Sequence, residues 1–172
     1  MSDHAKDASR LHEAYLALGA NLGDRLGNLN KACERLLASG VRIEARSPVY
    51  ETDAVAKEPQ PPYLNAALRV ATVLAPEALL RLVLSIERSL GRNRDTAARW
   101  ASRAIDIDVL LYEDQTSDSL FLELPHPRLL ERPFVRVPLA EVARSGLRHP
   151  VSGEPLDRSL PHPGVRLFDG RL

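Results

Sequence analysis

The chain has 172 residues, 23 of them basic and 23 acidic, a length that suits one domain with a sizeable core. Balanced charge leaves no global field to gather nucleic acid or an anionic membrane, so any anion site has to be local. A single cysteine, Cys33, excludes an intrachain disulfide and suits a reducing cytoplasm, and no apolar run reaches the roughly eighteen residues that a membrane-crossing helix needs.

Residues 1–13 are polar and read as a loose tail, which leaves 14–172 as the single domain. Ala14–Leu18 is a short apolar strand ended by Gly19-Ala20-Asn21-Leu22-Gly23-Asp24, a turn punctuated by glycine, Asn and Asp. Leu26, Leu29, Cys33, Leu36 and Leu37 then recur at three- and four-residue spacing, and Gly40 closes the helix they predict. Val41–Tyr50 alternates in the manner of one strand. A proline-stiffened loop, Glu51–Pro62, follows it, and Tyr63–Val73 resumes an extended pattern. Tyr63 and Asn65 are two apart and point the same way, which suits either a flat heterocycle or a cross-strand packing pair. Pro76 sits at the first position of a second helix, whose stripe of Leu79, Leu82, Val83, Ile86 and Leu90 ends at Gly91. Glu87, on the flank of that stripe, is expected to be solvated or paired with Arg88 or Arg94.

The next stretch is the most informative. Arg92, Arg94, Arg99, Arg103 and the only tryptophan, Trp100, fall within twelve residues that lack an apolar period, as in a charged loop. Ile105-Asp106-Ile107-Asp108-Val109 alternates, and a strand with period two puts both carboxylates on one face and the apolar side chains on the other. Magnesium is usually held by one or two carboxylates plus substrate phosphates, and guanidinium groups grip phosphate oxygens in pairs. The combination therefore describes a place for a metal-bound polyphosphate; the alternation taken alone also describes a one-sided sheet with a solvated acidic face. Further on, His126 stands between Pro125 and Pro127 in stiff, extended backbone. It and Arg132 are either phosphate ligands or exposed turn residues. Val135–Val142 is short and apolar, and the remainder reads as loop with a last turn near Leu160. Strand, helix, strand, strand, helix, strand predicts a ferredoxin-like βαββαβ sandwich of the α+β class, with extra C-terminal strands and loops.

Arg99–Leu111, together with Gly19–Arg25, Tyr63–Ala67 and Leu124–Val135, resembles the 6-hydroxymethyl-7,8-dihydropterin pyrophosphokinases of folate biosynthesis, and the likeness runs from Ala14 to the C-terminal end. The resemblance implies transfer of the terminal pyrophosphoryl group of ATP to the pterin hydroxymethyl oxygen, leaving AMP, with two Mg²⁺ ions on Asp106 and Asp108. It assigns Arg92, Arg94, Trp100 and Arg103 to a catalytic loop over ATP, and Val109, His126 and Arg132 to the nucleotide. Tyr63 and Phe134 would sandwich the pterin, Asn65 and Thr52 would bond its edge, and Val55 would add an apolar contact. The sequence requires no dedicated general base; if the metals acidify the attacking hydroxyl, Asp106 is near enough to accept its proton. The implied partners are small molecules only, with no nucleic acid or membrane, and the implied state is a monomer. The sequence departs from the family's pattern at Asp53–Pro62, which keeps only the later Gln60-Pro61, at Ala101-Ser102 in place of Gly-Pro, and at Ala20 in place of Ser. A two-metal nucleotidyl-transfer domain, an RNA-binding module of the same fold and an inactive family member are the competing readings.

Overall fold

The structure is a computed structural model that describes residues 10–54, 59–91, 103–158 and 161–172. Its elements in chain order are β1 (His12–Ala20), α1 (Arg25–Ala38), β2 (Arg42–Arg46), β3 (Tyr50–Thr52), β4 (Tyr63–Thr72), α2 (Pro76–Ser89), β5 (Asp106–Tyr112), β6 (Ser117–Asp118), β7 (Glu123–Leu124), α3 (Pro133–Val142) and β8 (Arg166–Leu167). The main sheet runs β5-β1-β4-β3-β8, with β2 also paired to β4, and all its ladders are antiparallel. Each helix connects two strands that share one neighbour between them. α1 carries the chain from β1 past β4, and α2 carries it from β4 past β1 to β5. These interleaved units make the ferredoxin-like α+β arrangement.

Both helices form where the apolar spacing predicts. The Asp24 side chain accepts the Gly27 N–H at 2.9 Å and caps α1. Pro76 opens α2, where a missing N–H costs nothing. Gly40 and Gly91 follow the two helices with φ of 82° and 92°, a conformation that a side chain would strain. Leu29, Cys33 and Leu36 of α1 and Leu79, Val83 and Ile86 of α2 pack on Leu16, Leu18, Leu68, Ile107 and Val109, and this is the larger core. On the opposite sheet face Tyr15, Ala67 and Leu110 meet Val135, Leu139 and Val142 of α3 in a smaller one.

Several expectations are corrected. Val41–Tyr50 is not one strand but β2 and β3, broken at Pro48, which has no N–H for a ladder. Ser47 bridges the gap: its N–H donates to the Ala67 carbonyl at 3.0 Å and its Oγ accepts the Ala67 N–H at 2.9 Å. The apolar run from Val135 to Val142 is a helix, although it is rich in β-branched residues and carries Pro138 inside it. Burial against the sheet outweighs propensity there. β1 starts at His12, within the expected tail, and its edge is tied down because the Glu113 N–H donates to the Glu13 carbonyl at 2.8 Å. Glu87 is fully buried rather than solvated. Leu160 lies outside the described residues.

Candidate active site

α3 covers one end of its sheet face and leaves the other end open as a cleft of about 620 Å³. The floor follows from register. Gly19 lies opposite Asp106 on one side and Asn65 on the other, while Ala17 lies opposite Asp108. Strand alternation turns Asp106, Asp108, Tyr63 and Asn65 into the cleft and Ile107 into the core. The small residues between them keep the floor low. A Cβ on Gly19 would stand 3.8 Å from Asn65 Oδ1 and 4.0 Å from both Asp106 Cβ and the Tyr63 ring. One wall comes from the segment entering α3, with His126, Arg128, Arg132 and Phe134; the other comes from Thr52, Asp53 and Gln60.

Charge is arranged in contacts. Arg103 donates from Nη1 to Asp106 Oδ2. Burial works against the guanidinium charge, but Asp106 outweighs it and holds the Arg103 pKa above its ordinary value. The Arg103 backbone is fixed by the turn after β1: its N–H donates to Asn21 Oδ1 at 2.7 Å, and its carbonyl accepts the Asn21 N–H at 3.0 Å. Asn21 Nδ2 also donates to the Pro61 carbonyl at 3.3 Å, so one buried amide joins the aspartate side of the cleft to the loop before β4. Arg25 secures the same loop by donating to the Pro62 carbonyl and to Glu51, each at 2.8 Å.

His126 is held neutral. Burial first, and then the Arg132 charge, push its pKa down to about 4. Its Nδ1 accepts the Arg128 N–H at 3.1 Å, so the ring proton of the neutral form sits on Nε2, which lies 3.9 Å from Asp108 Oδ2. The Arg132 guanidinium stands 5.7 Å over the Phe134 ring. Across the floor, Asn65 Nδ2 donates to Thr52 Oγ1 at 2.9 Å, with both residues buried.

Thr52, Tyr63, Asn65, Arg103, Asp106, Asp108, His126, Arg132 and Phe134, drawn from distant parts of the sequence, thus line one cleft. Val109 does not. Its side chain is packed in the helix-side core, as the parity of β5 from Asp106 to Val109 requires, so only its backbone is left to face a nucleotide. Arg92, Arg94, Trp100 and Val55 lie outside the described residues. Sequence reasoning missed Arg128, whose spacing from His126 was its only signal, and it took Asn21 for turn punctuation.

The donor set suits a hard cation. Two carboxylates share the floor, and among the described residues no cluster of three His, Cys, Asp or Glu side chains forms a closed metal cage. A cation here would complete its shell with water and substrate oxygens, which is how magnesium is usually bound.

Fold and cleft together describe a phosphoryl-transfer enzyme that takes a metal-bound polyphosphate next to a flat ring. Residues 15–144 match the family 7,8-dihydro-6-hydroxymethylpterin-pyrophosphokinase (HPPK), and the chain belongs to that family. It is 48% identical to the 2-amino-4-hydroxy-6-hydroxymethyldihydropteridine pyrophosphokinase of Methylorubrum extorquens, over 76% of this chain and 82% of the relative. The enzyme of the same name from Bacillus subtilis is 41% identical over 82% of this chain and 84% of its own. A crystal structure of Plasmodium falciparum HPPK-DHPS superposes with a TM-score of 0.65 at 14% identity, covering 86% of this chain. The present chain spans 43% of that longer protein, and the likeness shows the shared fold.

Proposed function

We propose an assignment of this cleft for the reaction of the family, in which pyrophosphate passes from ATP to 6-hydroxymethyl-7,8-dihydropterin and gives the pterin diphosphate and AMP. Asp106 and Asp108 hold Mg²⁺, two ions in this reading, whose chemistry when bound is to neutralise charge on the transferred phosphates. Arg103 exchanges its contact with Asp106 for a phosphate oxygen as ATP arrives. Arg132 faces the same phosphates. His126 donates from Nε2 as a neutral ring and so adds a directional bond without further charge. Tyr63 and Phe134 clasp the pterin ring, and the Asn65–Thr52 pair reads its edge. Asp106 accepts the hydroxymethyl proton.

Arg92, Arg94 and Trp100 stay in this reading as the loop that closes over ATP and excludes water, and Val55 stays as an apolar contact to the pterin; family likeness is their support. The protein works as a monomer in the cytoplasm on small molecules, with no nucleic-acid partner, a reading supported by its even charge balance. No helix among the described residues is long and apolar enough to cross a membrane.

The observation that carries the proposal is the convergence of the two aspartates, Arg103, His126, Tyr63 and Asn65 on one cleft. Incubation with ATP, Mg²⁺ and the hydroxymethyl pterin should release AMP in equal amount to pterin diphosphate. Release of ADP, or consumption of ATP without the pterin product, sinks it.

A further inference from the structure

Glu87 is an acidic side chain that the mechanism above does not use, and it is completely buried on α2, between the helix and the edge strand β5. A carboxylate so far from water is retained only where strong hydrogen bonds compensate for lost hydration. Glu87 Oε1 accepts the N–H of Ile107 at 2.8 Å. Ile107 is the residue between Asp106 and Asp108, and among the described residues β5 is bonded to another main-sheet strand only along its β1 side. The contact therefore fixes the Asp106–Ile107 peptide from the side opposite the sheet, at the point that sets how both aspartates project.

We infer that Glu87 is a positioning residue: the bond its Oε1 accepts from the Ile107 N–H holds the edge strand in the orientation that makes Asp106 and Asp108 a divalent-cation site. A neutral acceptor or ordered water would satisfy the amide equally well for folding alone. What an acceptor at this reach from a rigid helix adds is a short bond of defined direction behind the ligand pair. Partners behind first ligands tune metal affinity by about 10- to 100-fold in comparable sites. The inference rests on the assignment of Asp106 and Asp108 to the metal.

Two conservative variants separate position from charge and bulk. Glu87→Gln keeps an acceptor oxygen at the same reach, whereas Glu87→Asp keeps the charge and withdraws it by one methylene. Binding of Mn²⁺, followed by its electron paramagnetic resonance signal with a nonhydrolysable ATP analogue present, should weaken about tenfold in Glu87→Asp and less than about threefold in Glu87→Gln. The ¹H–¹⁵N signal of Ile107 should move in Glu87→Asp, and the pterin KM should stay unchanged in both. Wild-type Mn²⁺ affinity in Glu87→Asp overturns the inference, and so does a Glu87→Gln that binds as poorly as Glu87→Asp. Asp106→Asn is the control for the underlying assignment. If it binds Mn²⁺ like wild type, the aspartate site itself is wrong and the inference falls with it; if it loses binding while the Glu87 variants do not, only the inference fails.

Discussion

The two ends of one sheet face have opposite fates. At one end Tyr15, Ala67 and Leu110 lie under α3 in a buried core; at the other, the same three strands present Gly19, Asn65 and Asp106 to an open cleft. The alternation holds along β1 and β4 and from Asp106 to Leu110 of β5, before the register shift at Leu111, so the difference comes from what covers the strands. A ten-residue helix is about 15 Å long, whereas the ten residues of β4 extend about 33 Å. α3 is too short to cover the whole face, and polar chemistry occupies the uncovered part. One face thus provides both a packed support and a site, and stability and activity should respond to mutation at different ends.

The strongest way to break that division is a pair of substitutions two residues apart. Asp108→Ala at the open end should lower kcat/KM by about 1000-fold, equal to about 4 kcal/mol of transition-state stabilisation, while the urea midpoint stays near that of wild type. Leu110→Ala at the covered end removes a fully buried side chain and should destabilise the fold by about 3 kcal/mol, with turnover per folded molecule unchanged. If the two variants lose activity and stability in the same proportion, the separation of support and site is wrong.

Acid should distinguish the two ends in the metal-free protein. The unfolded chain binds a proton on His126 near pH 6.5, but the folded cleft resists that proton until about pH 4 because of burial and the Arg132 charge. The folded state therefore loses stability as pH falls through this window, by up to about 3 kcal/mol, and the loss levels off below pH 4. His126→Gln should flatten this part of the curve, with chemical denaturation measured at pH 7 and pH 4.5. An unchanged slope would show that the ring is already solvated and that its neutral, Nε2-protonated form is not what the cleft presents.

Much of the frame was legible because local rules and tertiary burial agreed. The stripes of α1 and α2, the glycines after them and the alternation in β5 each pointed the same way as the packing that uses them. The failures came where tertiary contacts overrode local preference. Val135–Val142 folds as a helix against the sheet despite Pro138, and Ser47 carries the edge pairing past Pro48 with its side chain. Glu87 was misjudged because helical spacing places it on a flank, and spacing cannot report that the flank is sealed by β5. Asp106 and Asp108 were readable as a pair; that His126 and Arg132 stand opposite them depends on a turn whose path no period encodes.

The smallest expected effect sharpens the comparison most finely. Gly19 sits in the middle of the open floor, in ordinary extended β1 backbone, so alanine meets no conformational penalty. A Cβ there would make normal van der Waals contacts with Asn65, Asp106 and Tyr63 at 3.8–4.0 Å. Gly19→Ala should consequently fold as well as wild type or slightly better, by a few tenths of a kcal/mol, since alanine loses less backbone entropy in a strand. The added methyl does raise the floor beneath the proposed pterin position, and the pterin KM should increase about threefold with the ATP KM unchanged. If the change falls on ATP instead, the two substrates occupy the floor in the reverse order from the one proposed. If it falls on stability, the open end is packed more tightly than the distances around Gly19 allow.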